Sequence, residues 1–142
     1  MNAPRLLALN AALQIIFACL LGFAMLLPMQ PWGQSFGKLL RSRLMTAAHL
    51  DWLMLAFMQA TAAFVLDRWP IATTTAGPVA VLLVAGGWLN PVPYVFKAAG
   101  VDAFVFAGPP RQKLAAGLAG MSSLAILVAW VVLFVAEVRR GA

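Results

Sequence analysis

His49 is the one histidine among 142 residues, and it lies just inside a long apolar run that begins near Leu44. An imidazole in hydrocarbon is costly unless something binds it, so an ionisable residue at such a place is read as functional. A second polar group, Asn90 with Tyr94, interrupts another apolar run. Their four-residue spacing puts both on one helix face, with Gly86 one turn further along. That stripe predicts a gap beside two hydrogen-bonding side chains. Pro91 and Pro93 fall in the same turns. They lack amide hydrogens, so they free the carbonyls of Gly87 and Leu89 and are expected to kink the helix. The plainer alternative is that Asn90 joins helices, Tyr94 anchors at the headgroups and the prolines merely bend.

One imidazole restricts the chemistry. Catalytic zinc needs about three protein ligands, which this chain does not supply convincingly. A Ser–His–acid site would have to recruit Ser122 or Ser123, which lie in a bland apolar segment without a nucleophile elbow. Haem held by two histidines is impossible within one chain, whereas haem held by a single proximal histidine, with its opposite face open, is not. Without a C-x-x-C-H motif such haem would be non-covalent. A histidine that only hydrogen-bonds across helices remains the alternative. The single Cys19 rules out an intrachain disulfide or a cysteine cluster, and it is expected to be a buried small hydrophobe.

The elements that must position these residues follow from composition. The chain is 63% hydrophobic and 10% charged, with a mean hydropathy of +0.91; a soluble domain carries about 25% charged residues. Four apolar stretches stand out, roughly 6–29, 44–66, 76–96 and 114–138. Each is long enough to cross about 30 Å of hydrocarbon as a helix. The expected fold is all-α, a polytopic four-transmembrane-helix bundle in one domain spanning 1–142. Asn10 and Gln14 interrupt the first stretch, which argues against a cleaved leader. In the last stretch, Ala116-x-x-x-Gly120 offers a close-packing surface to another helix.

The net charge of +6 would suggest nucleic acid in a soluble protein. Here the basic residues sit at helix ends, where they suit lipid headgroups, and no nucleic-acid partner is expected. Lys38, Arg41, Arg43, Lys97, Arg111 and Lys113 flank the first and third connections, and Arg5, Arg68, Arg139 and Arg140 belong to the other side. The bias predicts that connections one and three face the cytoplasm. Connection one, with Trp32 and its basic stretch, suits an interfacial helix.

Depth then brings the polar residues together. His49 lies roughly 8 Å inside from the Leu44 end, and Tyr94 and Asn90 lie about 3 and 9 Å from the exit of the third segment. Those two ends share a membrane face, so all three residues are expected in one leaflet.

Ala48-His49 at the start of the second segment, followed by Gly87-Trp88-Leu89-Asn90-x-x-x-Tyr94-x-Phe96 in the third, resembles the styrene oxide isomerase family of small four-helix bacterial membrane proteins. The resemblance implies a homotrimer in the bacterial inner (cytoplasmic) membrane. It also implies haem b with ferric iron near the subunit interfaces, held axially by His49, with Asn90 and Tyr94 on the substrate side. Arg41 and Arg43 are then candidate partners for the haem propionates. The implied reaction converts a lipophilic aryl epoxide such as styrene oxide to the aldehyde by Lewis-acid catalysis and a 1,2-hydride shift, the Meinwald rearrangement. Trp88 and Phe96 could face the phenyl ring. In one departure, members carry an acidic residue directly before Gly-Trp where this chain has Gly86. Asp51 points nearly opposite to His49 on its helix and is expected to meet a basic residue or a subunit boundary. Two other classes stay open: a haem-binding membrane sensor or carrier without epoxide chemistry, and a cofactor-free scaffold.

Overall fold

The computed structural model describes residues 2–141, with the side chains of 34–36, 38 and 141 outside that description; Lys38, counted above among the headgroup charges, is one of these. The first helix, α1 (Ala3–Leu26), has Pro4 in its opening turn, where a missing amide hydrogen costs nothing. Two short 3-10 turns, Leu27–Met29 and Pro31–Phe36, lead to α2 (Gly37–Leu40). The expected interfacial piece is thus a chain of tight turns ending in one helical turn. Helix α3 (Arg43–Arg68) is capped by Ser42, whose Oγ accepts the Met45 amide hydrogen at 3.1 Å. Pro70 follows two residues beyond its end.

The third apolar stretch is two helices, α4 (Thr73–Leu89) and α5 (Val92–Ala98). The expected kink is a full break at Asn90–Pro91, because two prolines in three residues remove two alternate intrahelical bonds, those to the Gly87 and Leu89 carbonyls. Gly100, at φ 88°, closes the chain after α5. The last helix, α6 (Pro110–Gly141), starts a turn before the apolar run, with proline at its first position.

Four segments, Ala3–Met29, Arg43–Arg68, Thr73–Ala98 and Pro110–Arg140, are long and apolar enough to cross a membrane. The protein is an all-α, multi-pass membrane protein with no strand among the described residues. Helix α1 packs chiefly along α3, α4 packs along α6, and α5 bridges α3 and α6. On α6 the inward face is Ala115, Ser122 and Ala129, one residue every two turns. Gly120 is exposed with open space around it, so the Ala116/Gly120 pair is not the seam that joins α6 to α4. Cys19 is exposed on α1 rather than buried; it shares the outward face with Ile16, Leu20 and Phe23, where apolar side chains meet lipid.

The core is two apolar clusters with a polar layer between them. One, around Leu7, Leu66, Leu83 and Leu133, fills the end near the chain termini. The other, around Ala18, Ala48 and Trp52, fills the opposite end and is flanked by Phe17, Trp88 and Tyr94. Asn10, Gln14 and Gln59 lie between them and are joined by hydrogen bonds. Buried amides are tolerated there because each finds a partner.

Candidate functional site

The break between α4 and α5 is held by side chains from two other helices. Pro91 leaves the Gly87 carbonyl without its helical donor, and Gln14 Nε2 of α1 donates to it at 2.6 Å. Gln59 Nε2 of α3 donates to Gln14 Oε1 at 2.6 Å, and Asn10 Nδ2 donates back to Gln59 Oε1. Trp88 Nε1 donates to Asn10 Oδ1 at 3.0 Å, and Trp52 Nε1 reaches the Trp88 carbonyl at 3.3 Å. A Cβ at Gly87 would stand 2.2 Å from Gln59 Nε2, so the layer closes only with glycine there. The distorted segment therefore has a fixed geometry and presents the residues after it in one way.

Asn90, at the break, sits in a second network. Its Nδ2 donates to Asp51 Oδ2 at 2.9 Å. Its Oδ1 accepts from Ser123 Oγ at 2.9 Å and from Ser122 Oγ at 3.1 Å. Asp51, expected to meet a basic residue or a subunit boundary, meets an amide within the chain. Gly86 faces the same way, and a Cβ on it would lie 2.5 Å from Ile126 Cγ1 and 3.1 Å from the Ser122 carbonyl. The gap expected beside Asn90 at Gly86 is thus filled by α6.

His49 is turned elsewhere. A Cβ at Gly22 of α1 would stand 3.1 Å from its Cε1, so α1 passes directly beside the ring. His49 Nδ1 is buried and has no hydrogen-bond partner among the described residues. Asp51 follows His49 by two residues, about 200° around the helix. Within one chain the imidazole therefore faces α1 while Asn90 lies across α3, on the side of α6. Their level along the bundle is shared, since Asn90 bonds the same turn of α3 that carries His49.

Tyr94, on α5, packs beside the Ala48–Trp52 cluster and against Phe104, ring centres 5.2 Å apart and planes at 64°. Trp88 is turned inward onto Phe17, at 5.3 Å, and so serves the core rather than an open wall. The Arg41 guanidinium donates to the Pro28 carbonyl, tying the two ends of the first connection together. Arg43 is exposed in the first turn of α3. At the opposite end, a cleft of about 520 Å³ beside Leu66, Asp67, Pro70 and Ala76 contains none of these residues.

Asp51, Ser122, Ser123, Gln14 and Gln59 were not singled out as site residues by the sequence. The available signal was the Asn10-x-x-x-Gln14 spacing in an otherwise apolar helix, which marks one polar face. Nothing local indicated that the serines of α6 reach Asn90.

Compared with protein-family models, the chain matches the family described as styrene oxide isomerase over residues 3–138. No curated protein and no solved structure gives a match.

Proposed function

Because the chain belongs to the styrene oxide isomerase family, we propose that it is a membrane-integral isomerase converting an aryl epoxide to the corresponding aldehyde, with haem b as cofactor. The observation that carries the cofactor is the His49 imidazole. A histidine serving to join helices would have a partner, and Nδ1 of this one has none among the described residues. Gly22 of α1 passes directly beside the ring, and a larger side chain there would press on it. His49 would hold the iron, and Arg43 and Arg41 lie at the membrane surface of the same helix end, where propionates would emerge. When bound, ferric haem supplies a Lewis acid for the epoxide oxygen.

The remaining work belongs to the polypeptide. Asn90 offers an amide hydrogen to the epoxide oxygen, and the Tyr94 hydroxyl is a second donor for the charge that develops there. Opening the benzylic carbon–oxygen bond leaves positive charge on that carbon. A hydride then moves, with its electron pair, from the neighbouring carbon as the carbon–oxygen double bond forms. No oxidant, reductant or added proton is required. Water must be kept out, because it would capture the cation as diol, and an apolar intramembrane setting does this. The same setting suits entry of a lipophilic substrate from membrane lipid and escape of a lipophilic product.

His49 and Asn90 lie on different sides of α3 in one chain, which supports a site completed between copies in a homotrimer. One protomer would give the imidazole and a neighbour the amide. The bacterial inner membrane is the proposed location.

Styrene oxide carrying two deuteriums on its terminal carbon tests the reaction. The expected product is phenylacetaldehyde that keeps both, one of them moved to the benzylic carbon. Diol, or aldehyde that has lost a deuterium to water, would reject the hydride-shift assignment. A pigmented protein that gives neither product would favour a haem-binding sensor or carrier.

A further inference from the structure

We infer that Asp51 and Ser123 are positioning residues that fix the amide of Asn90 as a hydrogen-bond donor, so that the site selects ligands by an acceptor oxygen. This rests on Asn90 facing substrate, as proposed above. A primary amide has two hydrogens to give and two lone pairs to fill. Around Asn90 the oxygen side is closed, with Ser123 Oγ at 2.9 Å and Ser122 Oγ at 3.1 Å from Oδ1. One of the two hydrogens goes to Asp51 Oδ2 at 2.9 Å. What remains is a single N–H.

The two serines are not equivalent. Ser122 Oγ also lies 2.6 Å from the Leu118 carbonyl and 3.1 Å from that of Ala119. Its one hydrogen cannot serve all three acceptors, and the shortest contact is the one to its own helix. Ser123 is therefore the donor committed to Asn90.

Asp51 supplies the opposite constraint. Turning the Asn90 amide over would set its carbonyl oxygen against a carboxyl oxygen, acceptor against acceptor. In a medium of low dielectric that repulsion is strong, as is the hydrogen bond it replaces. An acceptor on α3 and a donor on α6 thus admit one orientation of the group between them.

The chemistry matches this polarity. The oxygen of an epoxide and that of an aldehyde both accept hydrogen bonds and give none. An amide locked as donor meets substrate and product alike, whereas an inverted amide would present oxygen to oxygen. Asp51 touches neither in this account and acts only through Asn90.

The test uses the purified, detergent-solubilised protein with two non-reacting competitors, phenylacetone and its hydrocarbon counterpart (2-methylallyl)benzene. Wild type is expected to bind the ketone more tightly than the hydrocarbon. In Asp51→Leu and in Ser123→Ala that preference should fall about tenfold, with hydrocarbon affinity, haem absorbance and melting temperature held. An unchanged preference in both variants would overturn the inference. Asp51→Asn guards against a purely structural role, since it keeps a polar partner. Loss of fold and absorbance in that variant, in step with binding, would make Asp51 a helix joint and also overturn the inference. A preference that depends on Asp51 in a protein yielding no aldehyde would reject the isomerase assignment while sustaining this one.

Discussion

Gln14 of α1 donates its side-chain amide to the Gly87 carbonyl at 2.6 Å, the carbonyl that Pro91 leaves without a helical donor. The bond crosses from the first helix to the third membrane segment and replaces, with a side chain, what the backbone lost. Substituting Gln14→Leu removes two bonds at once, since Gln14 Oε1 also accepts from Gln59. The expected loss is about 1–3 kcal/mol for buried groups left unpaired, read as a lower midpoint in reversible detergent unfolding. Stability unchanged from wild type would show that the amide layer does not hold the break.

Gly22→Val tests the packing beside His49. Even a single Cβ at this site would stand 3.1 Å from His49 Cε1, and valine adds two methyl groups beyond it. The expected outcome is displacement of the imidazole, with haem absorbance reduced several-fold while helical circular dichroism is kept. Full absorbance in this variant would mean that the ring does not need its present position to bind.

Gly86→Asp would introduce the acidic residue that the family resemblance leads one to expect before Gly-Trp, and the structure leaves it no room. Its Cβ would fall 2.5 Å from Ile126 Cγ1. Overpacking of this kind costs about 1–3 kcal/mol, to be seen in the melting temperature. Adding Ile126→Ala should recover part of the loss. Equal melting of Gly86→Asp and wild type would show that α4 and α6 do not meet as closely as described.

Tyr94→Phe keeps the edge-to-face contact with Phe104 and removes only the hydroxyl. Turnover should fall by about tenfold or more if that hydroxyl donates to developing charge, with haem absorbance unchanged. Loss of absorbance instead would assign Tyr94 to structure.

The sequence carried much of the fold and less of the site. Four long apolar runs are read directly, because the bilayer fixes both their length and their polarity. Pro91 and Pro93 located the break, and their missing amide hydrogens named Gly87 as an orphaned carbonyl. The partner was not legible, because Gln14 lies 73 positions away and no local pattern connects them. Asp51 illustrates the same limit: its angle from His49 was deducible from helix geometry, but Asn90 as its partner was not. Gly86 was read as an opening, yet Ile126 from α6 fills it. Small residues mark close approach as readily as empty space, and only packing tells which. Gly120 shows the converse, a small residue at packing spacing that faces outward.

The most direct test is the absorption spectrum of the purified protein, expressed with ample haem supply, beside that of His49→Ala. The account predicts a Soret band in the wild type that is abolished in the variant. A colourless, folded wild type, or a band that persists without His49, would contradict it.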